Sequence, residues 1–356
     1  MKIAQVAPLA ESVPPKLYGG TERVVAYLAD ELVRQGHDVT LFASGDSHTC
    51  ATLVPVCDRA LRLSTEPRDS LALHFLMVEQ VAQLARQFDV VHFHIAPLHF
   101  PVARRMETAH ISTLHGRLDL PDLVALYREF SDMGVVSISD AQRTPLMCAN
   151  WLGTVYHGVP ESALQFHETP GSYFGFLGRI SPEKRVDRAI AIATACGCPL
   201  RIAAKVDAVD AAYFEREIQP LLDHPLITYM GEIGHDDKSD FLGQAKALLF
   251  PIDWPEPFGL VMIEALACGT PVVAFRGGSV EEIIEDGVTG FIVDSVEDAV
   301  AAAHKVDTLD RRACRASFDQ RFSAARMAAD YLELYTAAID RNRMRIDDGQ
   351  RLLAAS

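Results

Sequence analysis

The chain has 356 residues, 49% of them hydrophobic, which is enough for two domains of ordinary size. Its formal net charge of −15 argues against a nucleic-acid partner, because such binding needs basic surface to displace counterions. No run of about 20 apolar residues occurs, so the sequence predicts no membrane-spanning helix and no integral contact with a membrane.

The chain opens on an apolar stretch, Ile3–Val6, that predicts a first strand, and the polar, proline-containing segment Glu11–Lys16 follows. A secretory signal would need a longer apolar region and a small-residue cleavage site, so we expect a cytoplasmic protein. The seven cysteines include one close pair, Cys196 and Cys198, but no CxxC pair. We therefore expect reduced thiols rather than a zinc knuckle.

Apolar strands and amphipathic helices alternate through the first half of the chain. Helical periodicity marks residues 22–35, which Gly36 should end, and residues 78–87. Further strands are predicted at residues 38–43, 90–94, 111–114 and 135–138. Such alternation is typical of a parallel sheet that helices cover.

The same alternation restarts near Tyr173. Strands are predicted at residues 174–177, 200–204, 227–230, 247–250 and 272–275, and helices at residues 186–194 and 213–222. The polar stretch 158–171, with Pro160 and Pro170, is the predicted boundary. The predicted fold class is therefore α/β, with two Rossmann-like, doubly wound parallel sheets in series.

Ligands of such sheets bind at the carboxyl ends of the strands, beside helix N-termini, so the loops there are the candidates. In the loop Tyr18–Thr21, two glycines would let the backbone approach an anion at a helix start, although a plain tight turn explains them equally. In the loop Gly178–Arg185, Arg179 offers a planar fork and Lys184 a mobile charge, which together suit a diphosphate. A solvated basic turn is the alternative.

A third loop and helix, Pro255–Ala265, carries two carboxylates. Glu256 stands at the mouth of the helix, and Glu264 lies within its apolar run, where it needs a ligand hydroxyl or an internal salt bridge. Eight residues of helix separate them by about 12 Å, which exceeds the about 5–5.5 Å of a retaining hydrolase pair. In a fourth loop, Arg276–Glu282, Ser279 is the predicted N-cap of a short helix.

Several histidines also stand at strand positions. His92 and His94 share one face of a strand, which hints at a metal site, but no third ligand is evident, and we expect no metal. His115 ends a strand, where a ligand contact is expected, although a lone histidine is more often structural. The adjacent pair Asp236 and Asp237 is interpreted as a solvated turn rather than a metal-binding DxD element.

Taken together, these motifs resemble glycosyltransferase family four, the retaining nucleotide-sugar enzymes with the GT-B fold. The most specific element is E-x7-E at Glu256–Glu264, within PEPFGLVMIEALACGTPVV. GRISPEKRVDRAI at residues 178–190, EDGVTGFIV at residues 285–293 and YGGTERVV near the start are also similar to the family. Two departures are Ala203–Val206, where a glycine-rich turn is usual, and His157, where asparagine is common.

The resemblance implies a domain plan in which two Rossmann-like domains face each other across a cleft. Residues 1–165 would form the acceptor-side domain, and residues 166–335 the nucleotide-sugar-binding domain. A C-terminal helix, residues 336–356, would cross back to the N-terminal domain.

The resemblance also implies a role for each motif. Arg179 and Lys184 would hold the donor diphosphate, and Glu264 the ribose hydroxyls. Glu256 would contact the sugar hydroxyls, and His115 would approach the sugar near its reacting carbon. The remaining donor contacts would come from the backbone at Gly19, Gly20, Gly231, Glu232, Ile233, Phe258, Gly259 and Leu260.

The implied function is retaining transfer of a hexosyl group from a nucleotide-diphosphate sugar, with a UDP-sugar favoured over GDP- or ADP-sugars. The acceptor, a saccharide, a lipid-linked molecule or a small molecule, stays open. No cofactor or metal is expected, because Arg179 and Lys184 would supply the positive charge. A nucleotide-sugar 2-epimerase and a non-catalytic nucleotide-sugar-binding protein are alternatives, since a fold does not fix a function.

Overall fold

The structure is a computed structural model that describes residues 1–17, 19–62, 64–95 and 97–354. Within these ranges, the side chains of residues 236 and 347–354 are not described. The chain forms two compact units. The first contains residues 1–138, residues 143–158 and the C-terminal residues from 324 onward, and the second contains residues 139–142 and 159–323.

The first unit is built on a seven-stranded parallel sheet. Its strands are β1 (Lys2–Val6), β2 (Asp38–Ser44), β3 (Thr52–Cys57), β4 (Val90–Phe93), β5 (Ala109–Thr113), β6 (Gly134–Ser137) and β7 (Asn150–Thr154). The helices along this stretch are α1 (Gly20–Arg34), α2 (Ser70–Leu84), α3 (Phe100–Ala103), α4 (Pro121–Glu129) and α5 (Asp140–Arg143).

The strand order is β3-β2-β1-β4-β5-β6-β7, so the chain moves outward from β1 in both directions. Val6 of β1 stands in register with Phe42 on one side and Phe93 on the other. The topological switch point therefore lies between β1 and β4, and the loops after these strands open at the same edge.

The central strands of this sheet are buried on both faces, which explains their nearly continuous apolar sequences. Helix α1 covers one face with residues spaced by three or four, including Val25, Leu28 and Leu32, all fully buried. Each such side chain contributes about 1.5–3 kcal/mol through burial. Gly36 follows α1 with a φ of +86°, which glycine adopts without strain.

The second unit is built on a six-stranded parallel sheet. Its strands are β8 (Tyr173–Arg179), β9 (Leu200–Lys205), β10 (Ile227–Gly231), β11 (Ala245–Phe250), β12 (Val272–Phe275) and β13 (Gly290–Val293). Its helices are α6 (Val186–Ala195), α7 (Ala211–Tyr213), α8 (His235–Gly243), α9 (Leu260–Ala267), α10 (Val280–Ile283), α11 (Val296–Ala303) and α12 (Arg311–Arg321).

The order β10-β9-β8-β11-β12-β13 places this sheet's switch point between β8 and β11. The helix predicted at residues 213–222 is instead broken. Helix α7 passes into a π-helical turn, Phe214–Ile218, and then into a 3₁₀ turn, Gln219–Leu221. Pro220 explains the break, because proline has no N–H to continue a helical hydrogen-bond pattern.

The unit boundaries differ from the predicted domains in three places. Residues 139–142 belong to the second unit, the first crossing falls after Gly158 rather than after residue 165, and the second falls after Ser323 rather than after residue 335. The two crossings lie side by side, since Val159 forms an isolated bridge with Ser323. The crossing after Gly158 lies at the start of the predicted boundary stretch 158–171, and the pairing with Ser323 ties residue 159 to the second unit.

The last helix, α13 (Ala324–Ala354), belongs to the first unit. Tyr331 and Tyr335 are completely buried there. Further along, the Asn342 side chain donates to the carbonyl of Glu107 at 2.6 Å. Among the described residues, no helix is long and apolar enough to span a membrane.

Candidate functional site

In the second unit, the predicted site residues gather at the carboxyl edge of the sheet. Arg179 is the last residue of β8, Lys205 the last of β9 and Gly231 the last of β10. The loop that carries Glu256 follows β11 on the other side of the switch point. This is the edge at which doubly wound sheets bind ligands.

Arg179 lies within a network of opposite charges. It pairs with Glu183, and its guanidinium lies 3.6 Å from Asp207 and 3.8 Å from Asp210. Lys205, its neighbour in register on β9, pairs with Asp207 at 2.9 Å. Burial raises the pKa of Asp210, so that carboxyl takes up a proton more readily than usual. The edge therefore holds two cations that carboxylates partly neutralise.

Lys184 forms an ion pair with Glu256. The indole of Trp254 donates to the same carboxylate oxygen at 2.7 Å. The ammonium group also lies over the rings of Phe250 at 5.6 Å and Trp254 at 5.1 Å, a cation–π arrangement. Both charged side chains are at most 14% exposed, so their attraction is little screened by water.

The local backbone explains how Lys184 reaches Glu256 across the switch point. Lys184 ends a 3₁₀ turn, and Arg185 after it takes a left-handed φ of +52°. The amide of Asp253 donates to the carbonyl of Glu183 at 2.8 Å, and Arg185 binds the Asp253 carboxylate at 2.8 Å. These contacts join the loop after β8 to the loop after β11.

Glu264 lies in α9 and does not share the partner of Glu256. Lys238 of α8 donates to both its oxygens, at 2.7 and 3.0 Å. The Glu264 side chain is 3% exposed and that of Lys238 14%. Of the two partners the sequence left open, the internal salt bridge is therefore present. A bound hydroxyl donor would add to it, because a carboxylate accepts several hydrogen bonds.

The predicted backbone contacts lie at two turns of this unit. Gly231 closes β10 with a φ of +71°, and Glu232 and Ile233 follow at the entrance to α8. Gly259, with a φ of +77°, is the N-cap of α9, so the amides of residues 258–260 stand at a helix start. Helix starts favour anions and other hydrogen-bond acceptors.

The loop around Glu256 rests on the turn that follows β12. Gly278 has a φ of +55°, and a Cβ atom there would lie 2.1 Å from the Glu256 carbonyl oxygen. The amide of Ser279 donates to that carbonyl at 3.0 Å, and its hydroxyl donates to the carbonyl of Phe258 at 2.7 Å. Ser279 is the N-cap of α10, as predicted, but its side chain makes no capping hydrogen bond there, because its hydroxyl holds the Glu256 loop instead.

In the first unit, Gly19 and Gly20 lie where the loop after β1 enters α1. A Cβ atom at Gly19 would lie 2.8 Å from the Cβ of Pro15, so the close approach of the loop requires glycine. The buried Arg23 donates to the carbonyls of Pro15 and Leu17. This loop is thus held in shape by its own helix.

His115 follows β5 and ends a buried chain of hydrogen bonds. His94 lies 2.9 Å from it, Nδ1 to Nε2, and the ring of His157 stacks on it at 5.3 Å between centroids. Burial lowers the pKa of His115 to about 3, which keeps the ring neutral at ordinary pH. His92 hydrogen-bonds Thr113 and Tyr335. The shared face of His92 and His94 thus serves a hydrogen-bond network.

Within the described residues, no three His, Cys, Asp or Glu side chains are grouped to hold a metal ion. The pair Asp236 and Asp237 lies in the first turn of α8 rather than in a solvated turn. The prediction of a turn is wrong because the helix begins one residue earlier, at His235.

Sequence reasoning missed Lys205, Lys238 and Trp254 as members of the site. Lys205 stands in the segment Ala203–Val206, where the sequence departs from the family's glycine-rich turn. This departure could have indicated that Lys205 belongs to the site. Lys238 lies 26 residues before Glu264, and no local pattern links them. Trp254 directly precedes PEPFG, so its indole N–H could have been predicted as a hydrogen-bond donor near Glu256.

Two family models match the chain. "Glycosyl transferases group 1" matches residues 164–320, and "Glycosyltransferase Family 4" matches residues 18–143. The first covers the edge that holds Arg179, Lys184, Glu256 and Glu264, and the second covers Gly19, Gly20 and His115.

Relatives and solved structures agree with these matches. D-inositol 3-phosphate glycosyltransferase of Salinispora tropica is 33% identical over 199 residues, which is 50% of this chain and 41% of the relative. The match thus spans less than half the length of that protein. Glycogen synthase of Mycobacterium tuberculosis is 26% identical over 90% of this chain and 92% of its own length.

The fold is that of the GT-B glycosyltransferases, with two parallel-sheet, Rossmann-like domains. Anabaena Alr3699/HepE, solved in complex with UDP and glucose, superposes with a TM-score of 0.72 at 19% identity, over 95% of this chain and 100% of that one. Together the two family models account for most of the chain, which belongs to the family of glycosyltransferases that they describe, group 1 and family 4.

Proposed function

We propose that the protein transfers a hexosyl group from a nucleoside diphosphate sugar to an acceptor hydroxyl, with retention of the anomeric configuration. The observation that carries the proposal is the group of cations at the carboxyl edge of the second sheet. Arg179 and Lys205 end adjacent strands there, and Lys184 follows in the next turn. Each cation is paired with a carboxylate. A bound diphosphate would either take the place of that carboxylate or bind the same cation beside it.

Donor binding follows from the two lysine–glutamate pairs. A diphosphate beside Lys184 competes with Glu256 for the ammonium group, while the Trp254 indole continues to hold one carboxylate oxygen. Glu256 is then available to accept hydrogen bonds from sugar hydroxyls. Glu264, oriented by both hydrogen bonds from Lys238, accepts from the ribose hydroxyls.

In the reaction, the bond between the anomeric carbon and the diphosphate oxygen breaks, and negative charge grows on the leaving diphosphate. Arg179 and Lys184 stabilise that charge, and electrostatic stabilisation of this kind is usually the largest contribution an enzyme makes to catalysis. The acceptor hydroxyl attacks from the same face, and its proton passes to the leaving phosphate oxygen. Glu256 is not the base in this scheme, because Lys184 and Trp254 already engage its carboxylate.

The donor nucleotide proposed is UDP, supported by the UDP complex of a protein with the same fold. The two relatives carry names that point to different acceptors, an inositol phosphate and glycogen, so the proposal specifies the acceptor only by its hydroxyl group. The proposal includes independence from metal ions, since the cations of the site supply the charge that a divalent ion would otherwise bring.

A thermal-shift panel of UDP, GDP, ADP and their sugars tests the donor. A ligand at 100 times its Kd stabilises the folded state by about 2.7 kcal/mol, and UDP and UDP-hexoses should give the largest shifts. Sugar transfer or donor hydrolysis is then measured with and without EDTA. Shifts with none of the nucleotides, or turnover that EDTA abolishes and manganese restores, would overturn the donor assignment or the metal independence, respectively.

A further inference from the structure

A chain of hydrogen bonds runs through the core of the first unit and ends at His115. We name it the Gln5 network. Its members are Gln5, His92, His94, Thr113, His115, Tyr331 and Tyr335. All except His115 are at most 3% exposed. Buried polar networks of this kind are most stable when donors and acceptors match along their whole length.

The Gln5 amide sets the direction of the bonds that lead to His115. Its Nε2 donates to the Tyr335 hydroxyl at 2.9 Å, and its Oε1 lies 2.7 Å from Nε2 of His94. Since Oε1 can only accept, His94 carries its proton on Nε2, and its Nδ1 is a bare acceptor. The Nε2 of His115, 2.9 Å from that Nδ1, must therefore be the donor.

This assignment leaves the other nitrogen of His115 with a lone pair. Its Nδ1 is buried and has no hydrogen-bond partner among the described residues. An unpaired buried acceptor is uncommon in folded proteins and costs free energy, which a ligand that donates a hydrogen bond would recover.

We propose that Gln5 and His94 are positioning residues that hold His115 as the Nε2–H tautomer, so that its Nδ1 accepts a hydrogen bond from a sugar hydroxyl. This inference rests on the proposed function for the identity of the hydroxyl. The opposite tautomer would present an N–H and would suit a carboxylate or a phosphate oxygen. The inferred direction of these bonds therefore favours a sugar that carries a hydroxyl, rather than an acidic group, where it meets His115.

The Gln5 amide also sets the bond directions in the other branch of the network, which runs through Tyr335 and His92 to Thr113. With its oxygen engaged by Gln5, Tyr335 donates to Nδ1 of His92 at 2.8 Å, and Nε2 of His92 donates to Thr113 at 2.7 Å. A Gln5→Glu substitution would place a second acceptor where the amide N–H stands. Tyr335 would then donate to the carboxylate, and His92 would change to its Nδ1–H tautomer while His115 keeps Nε2–H.

The test is a long-range ¹H–¹⁵N correlation spectrum of the ligand-free, full-length protein labelled at histidine nitrogen. We expect His115 to show a protonated Nε2 and a bare Nδ1, and Gln5→Glu to change the tautomer of His92 alone. His94→Gln, which keeps one donor and one acceptor, should preserve the His115 tautomer, whereas His94→Leu should not. A protonated Nδ1 on His115 of the unsubstituted protein would overturn the proposal.

A matched control is His99→Gln. This histidine is also buried and hydrogen-bonded, to Ser112 at 2.7 Å, but it lies outside the Gln5 network. It should leave the His115 spectrum unchanged even if it lowers stability. A change in the His115 tautomer in this control would show that any core defect, rather than the network, sets the tautomer.

Kinetics with a UDP-hexose separate this inference from the proposed function. Loss of a hydrogen bond of about 1.4 kcal/mol corresponds to about tenfold in rate, so His94→Leu should lose about that much and His94→Gln should recover most of it. Equal rates in the two variants would overturn the positioning role. Absence of transfer in the unsubstituted protein would overturn the proposed function, while the spectra alone decide the tautomer.

Discussion

Lys238→Met should be among the most destabilising substitutions of a charged residue in the second unit. The change removes the ammonium group that donates to both oxygens of Glu264. The carboxylate left behind is 3% exposed, so water cannot replace the lost partner. Breaking a buried pair by removing one member costs about 3–5 kcal/mol, because it leaves an uncompensated buried charge.

The double variant Lys238→Met/Glu264→Gln separates this penalty from the net value of the pair. With both charges removed, no uncompensated charge remains, and much of the stability should return, since neutral groups often replace buried ion pairs at little cost. Lys246→Met is the matched control. Its pair with Asp307, at 2.9 Å, is more exposed and should contribute at most about 1 kcal/mol.

The assay is urea denaturation followed by circular dichroism and by tryptophan fluorescence. A loss below about 1 kcal/mol for Lys238→Met, equal to that of the exposed control, would refute the claim that Glu264 depends on its lysine. A double variant no more stable than Lys238→Met would refute the charge argument and point to lost packing instead.

Two further predictions concern backbone and pH. Gly278→Ala should destabilise the protein far more than its control, Gly287→Ala. Both glycines have positive φ, but a Cβ atom at residue 278 would meet the Glu256 backbone, whereas one at residue 287 would meet open space. Gly287→Ala should therefore lower the free energy of unfolding by only about 1–2 kcal/mol in the same denaturation assay. For His115, burial lowers the pKa from 6.5 to about 3, so below pH about 6.5 the unfolded chain binds a proton that the folded protein does not. Stability should therefore fall by about 1.4 kcal/mol per pH unit from this residue as the pH drops from 6.5 towards 3, and His115→Gln should reduce the slope of the urea midpoint against pH; an unchanged slope would contradict the burial argument.

Much of the architecture followed from local patterns in the sequence. Central strands such as Val90–Phe93 are buried on both faces and read as apolar runs. The strands Thr52–Cys57 and Asn150–Thr154 were not predicted, because they lie at the two edges of their sheet and are only partly buried. Their sequences mix polar and apolar residues and include Pro55 and Gly153, which weaken the signal for a strand.

The candidate site shows the same division between local and long-range information. The loop positions of Arg179, Lys184 and Glu256 could be predicted, because each follows a recognisable strand. The pairing of Lys238 with Glu264 and the Gln5 network could not, because they join residues distant in sequence whose contact exists only in the folded chain. The left-handed Arg185 was also unforeseen, since a non-glycine residue rarely adopts that conformation.

Calorimetric titration of UDP and a UDP-hexose into Glu264→Gln, Glu256→Gln and the unsubstituted protein tests the central claim most directly. Because a hydrogen bond to a charged group contributes about 1.5–3 kcal/mol, Glu264→Gln should weaken both ligands about ten- to a hundredfold. Glu256→Gln should bind UDP nearly as well as the unsubstituted protein and should lose turnover of the intact donor, because its contact holds the sugar in place. If Glu256→Gln weakens UDP as much as Glu264→Gln does, the division of roles between the two glutamates is wrong. If neither substitution changes binding or rate, the E-x7-E element is structural here and the proposed function is contradicted.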